Sequence, residues 1–186
     1  MALYAVTSSP LFLGNDVREG YMQQRLVDLM TNRAMLDVNQ LYAGFAGDRI
    51  WSKATGMELW AKPLPGAAIG VVLFNRNGTT GCHSQSRQTI EVPCDDDPAL
   101  VAAGQQEITF EFVGLPSSWL GLATPPTELH GVISCNISNI FPATASNASG
   151  PAQAKNLGRF TGRFTAMVPP HGVSFVRVSG CVVQLN

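Results

Sequence analysis

The sequence predicts a mainly β chain. An antiparallel β-sandwich is expected over residues 47–186, preceded by a short helix–strand–helix segment over 1–46. Three observations carry this. Residues 57–76, MELWAKPLPGAAIGVVLFNR, read as two strands around a tight turn. Short stretches of alternating or continuous apolar residues recur after residue 47, separated by Gly and Pro, which is the pattern of a sandwich. Before residue 47 the apolar spacing is instead helical.

In chain order, residues 1–9 are apolar with small residues and read as the end of a helix. Residues 10–14, PLFLG, read as a short apolar strand ending in Asn15-Asp16. Over 21–30, Met22, Leu26, Leu29 and Met30 fall on one helical face. Met35, Leu36 and Val38 mark another helical turn over 33–38. Such a βα unit lacks parallel neighbours, and a parallel strand needs partners on both edges and helices on its faces.

Beyond residue 47, residues 49–52 form a candidate strand. In the hairpin, Met57, Leu59 and Ala61 alternate with Glu58, Trp60 and Lys62. Pro63-Leu64-Pro65-Gly66 is expected to turn the chain. The nearly unbroken apolar run over 67–74 fits a strand buried on both faces. Further strands are expected at 89–92, 106–112 (Ile108, Phe110 and Phe112 on one face), 131–135, 160–168, 172–178 and 181–185. The 160–168 and 172–178 strands are expected to pair around Pro169-Pro170-His171-Gly172, with the glycine supplying the unusual φ. Residues 141–156, rich in Ala, Ser, Asn, Pro and Gly, read as a loop.

Composition narrows the function. The chain has 186 residues, 12 Lys plus Arg against 13 Asp plus Glu, and a net charge of −1. That argues against a nucleic-acid or anionic-membrane surface. Only 13% of residues are charged, with 18 Gly and 12 Pro, which suits a loop-rich β protein. No apolar run approaches the length of a membrane span. The first residues, MALYAVTSSPLFLGND, lack a basic n-region and are broken by Thr7-Ser8-Ser9-Pro10, so they do not read as a signal peptide.

Four cysteines (Cys82, Cys94, Cys135, Cys181) and three N-x-S/T sequons (Asn77, Asn136, Asn147) favour an oxidising compartment. Cys82 with Cys94, and Cys135 with Cys181, are the disulfide candidates, although four cysteines allow three pairings. Cys82-His83, Cys94 and Asp95-Asp96-Asp97 do not have zinc-ligand spacing, and the Asp run reads as a solvated turn. No metal or cofactor is expected. His83, His130 and His171 lack a nucleophile partner pattern. Trp51, Trp60 and Trp119 read as core or interface residues, with sugar stacking as the alternative.

Several runs together resemble the α-galactosidase (melibiase) and α-N-acetylgalactosaminidase group, glycoside hydrolase family 27. They are MALYAVTSSPLFLGND (1–16), ELWAKPL (58–64), VVLFNR (71–76), ITFEFVGLP (108–116), NLGRFTGRFT (156–165) and VPPHGVSFVRV (168–178). Where the family reads NQDPLG, this chain has Asn39-Gln40-Leu41-Tyr42-Ala43-Gly44. The resemblance implies a (β/α)8 barrel followed by an antiparallel sandwich. Residues 1–46 would then be the barrel's last segment (end of helix seven, strand eight, helix eight), and 47–186 the C-terminal β-sandwich.

The family's retaining mechanism needs two carboxylates about 5–5.5 Å apart, and both are implied to lie upstream of the segment matching Met1. The resemblance therefore implies a fragment with no catalytic residue of its own, inactive alone, from a parent that hydrolyses terminal α-D-galactosyl residues. An α-galactoside substrate is a partner of that parent only. The parent is expected to be secreted, lysosomal or vacuolar; no nucleic-acid or membrane partner is expected, and a homodimer is left open. Asp16 is the one candidate pocket-rim residue, but an Asn/Asp pair at that point serves equally as a helix cap, which needs only this chain. The alternative function is a non-catalytic carbohydrate-binding or accessory sandwich. A third reading is a relic in which 1–46 exposes apolar faces and lowers solubility.

Overall fold

The computed structural model describes residues 1–11, 24–77, 104–123, 131–141 and 154–185. Among them are three helices, α1 (Ala2–Val6), α2 (Gln24–Met30) and α3 (Arg33–Gln40). Eight strands follow: β1 (Asp48–Ser52), β2 (Met57–Leu64), β3 (Ala68–Asn75), β4 (Gln106–Glu111), β5 (Gly131–Asn139), β6 (Lys155–Thr161), β7 (Arg163–Val168) and β8 (Val173–Leu185). Six strands form one sheet in the order β1-β2-β3-β8-β5-β6, and β4 pairs with β7 in a second. Every pairing is antiparallel. The expected strands at 10–14 and 89–92 lie largely or wholly outside the described residues.

The large sheet is covered on both faces. Its inner face presents Leu59, Ala61, Ile69, Val71, Leu73, Ile133, Ile137, Val176 and Val178. These pack against Ile108, Phe110 and Phe164 of the small sheet. Its outer face presents Leu64, Ala68, Val72 and Phe175 to Ala2, Ala5 and Val6 of α1 and to Met35 and Val38 of α3. The continuous apolar run of β3 follows directly: alternate residues of one strand enter two different cores, so no position is left for a polar side chain. Gly70 is required where α3 crosses β3, because a Cβ there would sit 2.8 Å from Val38 Cγ1.

The helices are tied to the sheet by polar groups as well. Asn32, 1% exposed, caps α3 by accepting from the Met35 N–H at 3.0 Å and donates to the Ile140 carbonyl at 2.9 Å. At the other end of α3, the fully buried Lys62 ammonium donates to the carbonyls of Val38 (2.5 Å) and Asn39 (3.0 Å). Last-turn carbonyls have no partner within the helix, and a cation there also meets the negative end of its dipole. Asn39 in turn donates to Tyr4 O and Ser9 O, joining α3 to α1. Ala2, Ala5, Val6, Met35 and Val38 thus find cover on the sheet; among the described residues of 1–46, Met1, Tyr4, Leu41, Tyr42 and Phe45 are the large apolar side chains that stay exposed.

Several expectations are corrected. The expected pairing of 160–168 with 172–178 does not occur: β7 lies in the small sheet against β4, whereas β8 lies in the large sheet between β3 and β5. The crossing is made at Gly162 (φ +75°), whose N–H donates to Ile133 O of the large sheet while its carbonyl accepts from Phe112 N. The unusual φ in the following turn belongs to His171 (+51°), not Gly172. Gly172 is needed for space, since a Cβ would lie 2.5 Å from Pro169 Cγ. The β2–β3 turn is made by Pro65, Gly66 and Ala67 alone, with Pro63 and Leu64 still paired to Ile69 and Ala68. Pro63 is tolerated because β1 no longer flanks β2 there, pairing only as far as Ala61. β6 starts at Lys155, inside the expected loop.

Candidate functional site

Of the residues singled out by sequence, Asp16, Cys82, Cys94, His83, His130 and Asn147 lie outside the described residues. Cys135 and Cys181 form a disulfide between β5 and β8, with Cα atoms 4.1 Å apart. It sits where the β5–β8 register shifts between Ser134 and Asn136. Asn136 is exposed on the sheet's outer face. Asn77 is also exposed, but its side-chain amide donates to the Thr55 carbonyl and closes the β1–β2 turn.

Two polar arrangements stand out, and sequence spacing identified neither. The first surrounds Glu58, whose side chain is 4% exposed. Its Oε1 lies 3.3 Å from Arg49 Nη1 and 3.7 Å from Arg76 Nη1, and accepts from Ser52 Oγ at 3.4 Å. Its Oε2 accepts from Trp60 Nε1 at 2.9 Å, and the Arg49 guanidinium stacks over the Trp60 ring at 5.7 Å. One buried carboxylate held by two guanidinium groups is an ion-pair clamp joining three strands. Buried and held in this way, the carboxylate is shut off from a substrate.

The second is a groove of about 470 Å3 between the edge strand β1 and the small sheet. It is lined by Trp51, Lys53, Leu59, Thr109, Phe110, Glu111 and Gly114. Leu59 and Phe110 belong to the inner core. Lys53 Nζ lies 5.1 Å from the centroid of the Trp51 ring. Thr109 is hydrogen-bonded across the small sheet to Thr165 Oγ1 at 2.7 Å. The bulge between Arg49 and Trp51 in the β1–β2 pairing turns both Ile50 and Trp51 toward the inner core. Trp60 packs against the outer core and Trp119 against the inner one. Among the described residues no cluster of three or more His, Cys, Asp or Glu is placed to hold a metal.

Comparison with known proteins identifies the company this chain keeps. It is 36% identical over 75 residues to an α-galactosidase of Oryza sativa subsp. japonica, a match covering 40% of this chain and 17% of that protein. The chain resembles the C-terminal portion of glycoside hydrolase family 27 enzymes. An α-N-acetylgalactosaminidase of Gallus gallus is 32% identical over 76 residues, 41% of this chain and 18% of that one. No protein-family model matches the chain. In fold it is similar to α-galactosidase I from Mortierella vinacea, with TM-score 0.65, 20% identity, 95% of this chain and 33% of that one. A family 27 β-L-arabinopyranosidase from Geobacillus stearothermophilus has TM-score 0.61 at 14% identity over 97% of this chain and 29% of that one. The family 27 likeness thus extends over almost the whole chain in fold, while the chain spans a third or less of these proteins' length.

Proposed function

We propose that the chain is the non-catalytic C-terminal portion of an α-galactosidase-type glycoside hydrolase, whose parent reaction is retaining hydrolysis of terminal α-D-galactosyl residues. In this reading residues 1–46 are the last segment of the catalytic barrel and 47–186 the sandwich packed on it. Sequence similarity to α-galactosidases and α-N-acetylgalactosaminidases carries the reading. The described glutamates suit it: Glu58 is committed to Arg49 and Arg76, while Glu107 and Glu111 lie exposed on the small sheet. A retaining site instead holds two carboxyls about 5–5.5 Å apart across a bound sugar. The exposed Tyr4, Leu41, Tyr42 and Phe45 suit a surface that the rest of a barrel would cover. The Cys135–Cys181 disulfide suits a secreted, lysosomal or vacuolar parent.

The test is labelling with a galactose-configured mechanism-based inactivator, which esterifies the nucleophilic carboxylate of a retaining enzyme. The intact mass of the chain is expected to stay unchanged. A stoichiometric mass gain mapped to one carboxylate refutes the reading.

A further inference from the structure

We propose that the groove walled by Trp51 binds a neutral pyranoside. The residues at its small-sheet side are Thr109, Phe110 and Glu111, three in succession. Successive side chains of a strand point to opposite faces, so three consecutive residues can line one groove only along the strand's edge. Among the described residues β4 pairs with β7 alone. The groove therefore sets the edge of β4 beside an indole ring, with Leu59 and Phe110 as an apolar floor.

Its charges are balanced. Lys53 and Glu111 are both exposed, of opposite sign, and the only ionisable side chains among the described lining residues. A lining with one cation, one carboxylate, a hydroxyl and an aromatic face is matched by a molecule that is uncharged, has an apolar face and carries hydroxyls around its rim. A pyranose ring has those features: its C–H face stacks on the indole as the Lys53 ammonium, 5.1 Å from the ring centroid, swings aside to meet its hydroxyls together with Glu111. The volume of about 470 Å3 falls within the range of about 300–1,000 Å3 typical of small-molecule sites. An added peptide strand suits it less, because the groove reaches only three of the six residues of β4, short against the usual strand of about five or six.

The inference goes beyond the hydrolase reading and stands without it, since it is read by reversible binding and that reading by covalent labelling. The experiment is a titration of the full chain with methyl α-D-galactopyranoside, methyl α-D-glucopyranoside and sodium glucuronate, followed by 1H–15N NMR of the indole and main-chain resonances. The expected result is a saturable shift of the Trp51 indole signal with one or both neutral glycosides at millimolar concentration, and a weaker response to glucuronate. Trp51→Ala is expected to weaken binding at least ten-fold. Because Trp51 also touches the core, Lys53→Ala and Glu111→Ala, both at exposed positions, provide the second test: each is expected to weaken binding at least three-fold with an unchanged thermal midpoint. Absence of a saturable shift, a preference for glucuronate, or affinity unchanged in both surface variants overturns the proposal.

Discussion

Deleting residues 1–46 is expected to unfold the remaining sandwich rather than tidy it. The outer face of the large sheet would lose α1 and α3, and with them the cover over Leu64, Val72, Ile140 and Phe175, each at most 3% exposed in the intact chain. At about 1.5–3 kcal/mol for each fully buried side chain of this size, those four account for roughly 6–12 kcal/mol. That range is an upper bound, because an unfolded chain already hides some apolar surface. It is nevertheless comparable with the whole stability of a typical domain, about 5–15 kcal/mol. Lys62 would also lose both of its carbonyl acceptors, and the Ile140 carbonyl its donor Asn32. The assay is urea unfolding of the full chain and of residues 47–186, followed by near-UV circular dichroism and tryptophan fluorescence. Loss of the cooperative transition in the shorter chain is expected. A truncated chain that is more soluble, with an unchanged midpoint, would refute this and restore the view of residues 1–46 as a dispensable relic.

Two further outcomes follow from particular groups. The Cys135–Cys181 bridge spans 46 residues; on loop-closure entropy the double Cys→Ala variant is expected to lose about 4 kcal/mol, toward the upper end of the usual 2–4, read as a lower urea midpoint. Burial lowers the Lys62 pKa below its ordinary value of 10.5. Between that lowered value and 10.5 the unfolded chain holds a proton that the native chain has released, so stability contributed by this residue rises with pH across that interval and is level on either side. Lys62→Met should remove that alkaline rise, as measured by unfolding midpoints from pH 7 to 11; an identical pH profile in the variant would contradict it.

Much of the fold is legible in the residue pattern. The unbroken run of β3 announces a strand buried on both faces, and Ile108, Phe110 and Phe112 all reach the inner core. Local patterns could not say which sheet each strand joins. β7 and β8 are joined by a short Pro-Pro-His-Gly turn that looks like a hairpin, yet Gly162 has already carried β7 into the other layer. The alternation of Glu58, Trp60 and Lys62 was equally ambiguous. It looks like a solvated face, but that face lies under helices and arginines, so a carboxylate and an ammonium are buried with partners distant in sequence. The groove is illegible in the sequence for the same reason: Trp51 and Glu111 are sixty positions apart and meet only because the two sheets stack.

We propose that this chain carries the C-terminal architecture of an α-galactosidase-type enzyme without its chemistry. The most direct measurement is hydrolysis of p-nitrophenyl α-D-galactopyranoside by the purified chain, against a mock purification from the same host. No turnover above the mock is expected. Turnover that co-elutes with the chain through successive columns would contradict the claim.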